Sequence, residues 1–125
     1  MTDCQSHDGA DVRIFYRITS SPCQRWQVTR LGDNTYKIID GSSGKALEVA
    51  GCSGADGSPV QLWAYYGGNC QTWRISDVGG GAFSIIGTGS GRSLDVAGCS
   101  PNPGADVIIW PHHGGSCQRW FFDRI

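Results

Sequence analysis

Short apolar runs separated by turn residues dominate the chain. Four of them, each four or five residues long, are Tyr36–Ile39, Ala46–Val49, Val60–Trp63 and Gln71–Ile75. They are rich in β-branched and aromatic residues and are bounded by Gly, Ser and Asp, which is typical of strands. No apolar pattern with the helical period is long enough to form a helix. The pattern therefore predicts an all-β protein.

The same series of segments returns at a spacing of 47 residues. The repeated segments are Cys23–Trp26, Cys70–Trp73 and Cys117–Trp120, then Tyr36–Ile39 and Phe83–Ile86, then Ser43–Cys52 and Ser90–Cys99. A fixed period of this length indicates a repeat architecture. Three units of four strands around a pseudo-threefold axis make a β-trefoil. We therefore predict one domain over residues 1–125, with units at approximately 1–31, 32–78 and 79–125.

The first unit is shorter than the other two. Cys4 matches Cys52, so the first unit lacks its first two strands. Three full units would need about 141 residues, whereas the chain has 125. We expect an open barrel edge at this point, completed by upstream residues, by another domain or by another chain in an oligomer.

The composition and charge indicate which partners and which cellular compartment suit the chain. With 10 Lys+Arg against 11 Asp+Glu, the net charge is −1, so no field of one sign attracts nucleic acid or an anionic membrane. No apolar run approaches the roughly 20 residues needed to span a bilayer. The first residues lack the features of a signal peptide, yet six cysteines in 125 residues indicate an oxidising compartment. We expect a secreted, extracellular protein whose leader, or a larger upstream region, precedes Met1.

The repeat sorts the cysteines into two equivalent sets, which are Cys4, Cys52 and Cys99, and Cys23, Cys70 and Cys117. A symmetric solution pairs members of opposite sets, either within a unit or between neighbouring units. The shorter loops favour the within-unit pairs Cys4–Cys23, Cys52–Cys70 and Cys99–Cys117, each worth about 3 kcal/mol in the chain-entropy model. We expect no metal site, because no Cys-x-x-Cys or Cys/His spacing typical of ligands occurs. No cofactor is predicted.

The Gln-x-Trp triplet occurs three times. The second copy follows Leu-Glu-Val and Val-Gln-Leu-Trp, and the third follows Leu-Asp-Val and Val-Ile-Ile-Trp. This combination resembles the ricin-B lectins and the related carbohydrate-binding modules of bacterial glycosidases, over essentially the whole chain. The resemblance implies one shallow sugar site per unit. In each site an acid on the second strand accepts hydrogen bonds from sugar hydroxyls, and an aromatic ring after the third strand stacks on the sugar.

Carried over position by position, the resemblance implies two complete sets of sugar-binding residues. The third unit gives Asp95, Trp110, His113 and Gln118, the second gives Glu48, Trp63, Tyr66 and Gln71, and the first retains only Phe15 and Gln24. The glutamines are expected mainly to support the acid, although direct contact with the sugar stays open. The tryptophans of the triplets, Trp26, Trp73 and Trp120, are expected in the core.

Two departures from the family leave the identity of the sugar open. Many members have a sugar-contacting Asn before Gln-x-Trp, where this chain has Cys23, Cys70 and Cys117. Glu48 is also longer than the Asp that such sites usually contain.

The resemblance implies binding of a galactose-containing or xylose/arabinose-containing oligo- or polysaccharide by a non-catalytic module of an extracellular glycosidase, with a linked catalytic domain as partner. A protein-binding trefoil of the protease-inhibitor kind and the cell-binding lectin subunit of a toxin are the alternatives, since the fold alone does not choose between them. We expect no catalysis by the chain itself. A glycosidase needs two carboxylates about 5–10 Å apart, and Glu48 and Asp95 occupy equivalent places in different units.

Overall fold

The computed structural model describes residues 8–9 and 25–122, in which short strands alternate with turns. The strands are β1 (Trp26–Gly32), β2 (Thr35–Asp40), β3 (Ala46–Val49), β4 (Val60–Trp63), β5 (Trp73–Gly79), β6 (Ala82–Gly87), β7 (Ser93–Val96) and β8 (Val107–Trp110). Single 3-10 turns follow or precede them at Ala50–Cys52, Asn69–Gln71, Ala97–Cys99 and Ser116–Gln118. Within the described residues there is no α-helix, and hence no helix long and apolar enough to cross a membrane.

All the strand pairs are antiparallel, in the order β4-β3-β2-β5-β6-β7-β8, with β1 also paired to β2. The pairing repeats with the sequence period. Trp26 faces Asp40 in the β1–β2 hairpin, and Trp73 faces Gly87 in the β5–β6 hairpin. This recurrence confirms the prediction of an all-β trefoil, while the boundaries between its units stay predictions.

One face of the hairpins β3–β4 and β7–β8 forms the core. Side chains alternate across a strand, so Leu47 and Leu62 point inward together, as do Leu94 and Ile109. The buried cluster consists of Ile38, Leu47, Val49, Val60, Leu62, Cys70, Trp73, Ile85, Leu94, Val107 and Ile109. The opposite face of each hairpin is thereby left for polar and aromatic residues.

The strand predicted at Gln71–Ile75 starts two residues later, at Trp73. Gln71 ends a 3-10 turn instead, because its backbone N–H donates to the carbonyl of Gly68 at 3.0 Å. Its side chain is fully buried and extends back towards β3. A polar side chain with partners on another strand has overridden the local strand pattern here.

Candidate functional site

The outer face of β7–β8 brings together an acid and an aromatic ring. Asp95 faces Ile108 across the strand pair, and Trp110 lies two residues further along β8, on the same face. In β3–β4 the equivalent residues are Glu48 and Trp63. Both units thus contain the predicted pair of acid and ring on one side of a hairpin.

The two tryptophans at the strand ends are half-exposed. Trp63 is 39% and Trp110 41% exposed, whereas Trp73 of the Gln-x-Trp triplet is fully buried. The indole N–H of Trp73 donates to the carbonyl of Leu47 at 3.0 Å. Trp63 and Trp110 are therefore available for stacking, and Trp73 belongs to the core as predicted.

Trp26 and Trp120 are partly buried against the same core. The indole N–H of Trp120 donates to the carbonyl of Leu94 at 3.0 Å, repeating the bond made by Trp73. These two rings also pack as structural residues.

The carboxylate of Asp95 is buried and only half satisfied. Asp95 is 5% exposed, and its Oδ2 accepts a hydrogen bond from Nε2 of Gln118 at 3.0 Å. Oδ1 has no hydrogen-bond partner in the part of the chain that the structure describes. A buried carboxylate oxygen without a donor is costly, so the carboxylate of Asp95 keeps unused hydrogen-bonding capacity in this site.

Gln118 supports Asp95 from the interior. It is fully buried and uses the whole hydrogen-bonding capacity of its amide. Nε2 donates to Asp95 and to the carbonyl of Pro111, both at 3.0 Å. Oε1 accepts from the backbone N–H groups of His113 at 2.9 Å and Gly114 at 3.2 Å. Gln118 therefore positions the acid and the following loop and has no surface for a ligand.

His113 lies at the mouth of the third-unit site. Its Nδ1 accepts the backbone N–H of Gly115 at 3.0 Å, so the neutral ring carries its proton on Nε2. Nε2 is 4.0 Å from Oδ2 of Asp95, too far for a hydrogen bond. A ligand hydroxyl can therefore meet a donor at His113 and an acceptor at Asp95.

In the second unit the acid already has three protein donors. Glu48 Oε2 accepts from Nε2 of Gln61 at 3.0 Å, and Oε1 accepts from the hydroxyl of Tyr66 at 3.1 Å and from Nε2 of Gln71 at 3.2 Å. Gln71 is buried behind Glu48, as Gln118 is behind Asp95. The extra methylene of Glu48 brings its carboxylate within reach of Tyr66, which occupies the position of His113.

The second-unit site is nevertheless open to solvent, with a cavity of about 280 Å³ beside the carboxylate. Its lining comprises Glu48, Gly51, Cys52, Gln61, Trp63 and Tyr66. Desolvation of the Tyr66 hydroxyl, its hydrogen bond to Glu48 and the charge of Glu48 together raise the pKa of Tyr66 above 10.0. Tyr66 therefore stays a neutral donor to Glu48 at physiological pH.

Disulfides join the segments that bear the acid and the glutamine. Cys52 is bonded to Cys70, and Cys99 to Cys117, with Cα atoms 5.2 and 5.3 Å apart. These are the within-unit pairs that the sequence favours. Cys4, Cys23, Phe15 and Gln24 lie outside the described residues, so the expectations for the first unit stay predictions.

The sequence interpretation overlooked Gln61 and two glycines. Gln61 faces Glu48 across the strand pair, and the strand alternation of Val60–Trp63 contains that signal. A Cβ on Gly68 would lie 2.4 Å from Cε1 of Tyr66, and one on Gly115 would lie 2.6 Å from Cε1 of His113. The Gly-Gly pair that follows each aromatic or histidine pair thus makes room for the ring.

A β-trefoil that presents an acid and an exposed aromatic ring in successive units has the architecture of lectin domains. The chain matches the model of the ricin-type β-trefoil lectin domain-like family over residues 1–63, 22–110 and 69–125. It therefore belongs to this family, and membership supports carbohydrate binding as its class of function. No match was found among curated protein sequences.

Several solved structures share the fold. The designed threefold-symmetric protein ThreeFoil is 39% identical, with a TM-score of 0.91, over 95% of this chain and 84% of ThreeFoil. The exo-β-1,3-galactanase of Clostridium thermocellum is 31% identical, with a TM-score of 0.79, over 82% of this chain but only 22% of the galactanase chain. The ricin B-like lectin of Macrolepiota procera, solved with lactose, is 25% identical, with a TM-score of 0.76, over 99% and 92% of the two chains.

Proposed function

We propose that this chain binds galactose-containing glycans, chiefly through its third unit. The observation that carries the proposal is the carboxylate of Asp95, of which only one oxygen has a donor among the described residues, beside the half-exposed ring of Trp110. Sugars offer hydroxyl donors along one edge and a face rich in C–H groups. In this site Asp95 accepts from a hydroxyl, His113 donates to a neighbouring oxygen, and Trp110 stacks on the C–H face.

The second unit is the weaker site. Its ring, Trp63, is as accessible as Trp110, but its acid already has three protein donors. A sugar hydroxyl therefore finds only the second acceptor site of Oε2 unused, or it displaces Tyr66 or Gln61 from Glu48. Two linked weak sites still strengthen binding to a polymer, because the second contact becomes intramolecular.

The chain acts as a non-catalytic, secreted module that holds an attached enzyme near its polysaccharide. The likeness to the galactanase of Clostridium thermocellum supports this setting. The complex of the Macrolepiota procera lectin with lactose supports a galactose-containing ligand. The two disulfides are in keeping with an oxidising, extracellular environment.

A glycan array followed by calorimetric titration tests the proposal. The array should include galactose-, xylose- and arabinose-containing oligosaccharides, and single sites of this shallow kind have affinities of about 1 mM, or −4 kcal/mol. Binding restricted to galactosides is the expected result. Binding to xylosides or arabinosides alone would show that the ligand is not a galactoside. The absence of binding to any glycan would favour the alternative of a protein-binding trefoil.

A further inference from the structure

We infer that each sugar site is a composite of two units, because the Asp-Gly turn of one unit positions the stacking tryptophan of the next. The turns are Asp8-Gly9 and Asp56-Gly57, and the tryptophans are Trp63 and Trp110 respectively. The inference rests on the proposed function and adds positioning residues to it.

The turn at Gly57 lies directly beneath the ring of Trp110. The N–H of Gly57 donates to the carbonyl of Ile109 at 2.8 Å, and the N–H of Ile109 donates to the carbonyl of Ser58 at 3.0 Å. A Cβ on Gly57 would be 3.7 Å from Cζ3 of Trp110, which is van der Waals contact. The backbone of the second unit therefore fixes the residue before Trp110, and the turn runs close enough to the indole ring that a methyl group would just fill the space between them.

The same arrangement occurs one unit earlier. The N–H of Gly9 donates to the carbonyl of Leu62, the residue before Trp63, at 2.8 Å. A Cβ on Gly9 would be 3.9 Å from Cζ3 of Trp63. Both glycines have positive φ, +89° and +81°, a conformation that other residues adopt only with strain.

An ion pair attaches each turn to the strand opposite the tryptophan. Asp56 pairs with Arg92, which directly precedes Ser93, the cross-strand partner of Trp110. Asp8 Oδ1 lies 2.9 Å from Nζ of Lys45, which directly precedes Ala46, the partner of Trp63.

The turn is thus connected to both strands of the hairpin that carries the site. A ring held in this way loses little freedom when a sugar stacks on it, and such preorganisation increases affinity.

The positioning role can be tested with a pair of glycine substitutions. Gly57→Ala is compared with Gly104→Ala, in the background Trp63→Ala so that only the third-unit site binds. Gly104 has φ +88° and nothing within 4 Å of an added Cβ, so both variants have similar backbone strain. Only at Gly57 is the strained turn hydrogen-bonded to the residue before a site tryptophan. Galactoside affinity should fall about three- to tenfold for Gly57→Ala and should not change for Gly104→Ala.

Arg92→Ala provides a second test that does not depend on a strained glycine. Loss of the exposed ion pair should weaken binding by about two- to fivefold, and the charge-reversed pair Asp56→Arg with Arg92→Asp should restore it. In the ¹H–¹⁵N spectrum, the indole resonance of Trp110 should move in Arg92→Ala. The resonance of Trp63 in the otherwise wild-type protein should stay in place.

The outcomes separate the inference from the proposed function. If the parent protein binds galactosides and neither Gly57→Ala nor Arg92→Ala changes the affinity, the composite site is wrong and glycan binding stands. If the parent protein binds no glycan, the proposed function fails, and the Trp110 indole shift alone decides whether the turn positions the ring.

Discussion

Asp95 and Gln118 are joined by a single 3.0 Å hydrogen bond that leaves Oδ1 of Asp95 unpartnered among the described residues. The matching pair in the second unit, Glu48 and Gln71, is joined at 3.2 Å, but Tyr66 and Gln61 also donate to Glu48. Two sites that are equivalent by repeat position therefore differ in the number of acceptors they can offer a ligand.

Removal of the two acids should affect binding unequally. Asp95→Ala removes the only free buried acceptor described in the two sites, and a hydrogen bond to a charged group is worth about 1.5–3 kcal/mol. We therefore expect galactoside affinity to fall at least about tenfold, as measured by calorimetric titration. Glu48→Ala should change it by less than about threefold, and a larger effect for Glu48 than for Asp95 would contradict the assignment of the third unit as the main site.

A methyl group on Gly115 should move His113 without unfolding the domain. The added Cβ would be 2.6 Å from Cε1 of His113, so the exposed ring must turn away and the donor on Nε2 is displaced. Affinity at the third unit should fall by about three- to tenfold, since one neutral hydrogen bond is worth about 0.5–1.5 kcal/mol. Gly68→Ala is the matched control, because it moves Tyr66 in the other unit. Equal losses in the two variants would argue against His113 as a ligand contact.

Stability at alkaline pH should depend on Tyr66. Because its pKa is raised above 10.0 in the folded protein, the unfolded chain releases this proton first as the pH rises. The contribution of Tyr66 is therefore complete below pH 10.0 and is lost as the pH rises through the folded pKa. Phenolate absorbance should show a group titrating above 10.0 that is missing in Tyr66→Phe. Glu48→Gln, which removes the charge beside it, should lower that pKa, and an unmoved titration would exclude Glu48 as a cause.

The third-unit disulfide should stabilise the fold by constraining the unfolded chain. Cys99 and Cys117 are separated by 18 residues, and a loop of this size corresponds to about 3 kcal/mol in the free energy of unfolding. Replacing both by serine should cost about that amount in urea denaturation.

Cys99 also has φ of +52°, so Cys99→Gly with Cys117→Ser should recover about 1 kcal/mol relative to the serine pair. Equal stabilities of the two double variants would show that the left-handed backbone at Cys99 carries no cost.

The repeat explains why much of the fold could be predicted. Strand positions such as Val60–Trp63, the core role of Trp73 and the within-unit bonds of Cys52 and Cys99 all follow from local patterns that occur more than once. The prediction that a strand begins at Gln71 was wrong. The side chain of Gln71 bonds to Glu48 and to the carbonyl of Ala64, and a local sequence pattern does not connect these segments.

The residues of the candidate site could be predicted, but the hydrogen bonds that each acid receives from the protein could not. The pairing of acid and ring in each unit followed from the family resemblance. Tyr66 donates to Glu48, whereas Nε2 of His113 is 4.0 Å from Oδ2 of Asp95. This difference depends on the extra methylene of Glu48 and on how each ring packs over its glycine. The hydrogen bond from Gly57 to Ile109 joins two units and has no signal in the sequence of either one alone.

Three of the four hydrogen bonds of Gln118 fix the backbone from Pro111 to Gly114 from inside the protein. The shape of this loop is therefore set largely by a residue that never meets the solvent, and His113 adds one bond of its own, from the backbone N–H of Gly115. His112 and His113 are both exposed, so substitutions there change the groups offered to a ligand while the bonds from Gln118 to the loop backbone remain. Sugar preference can therefore diverge between descendants of this domain through a few surface changes, without new demands on folding.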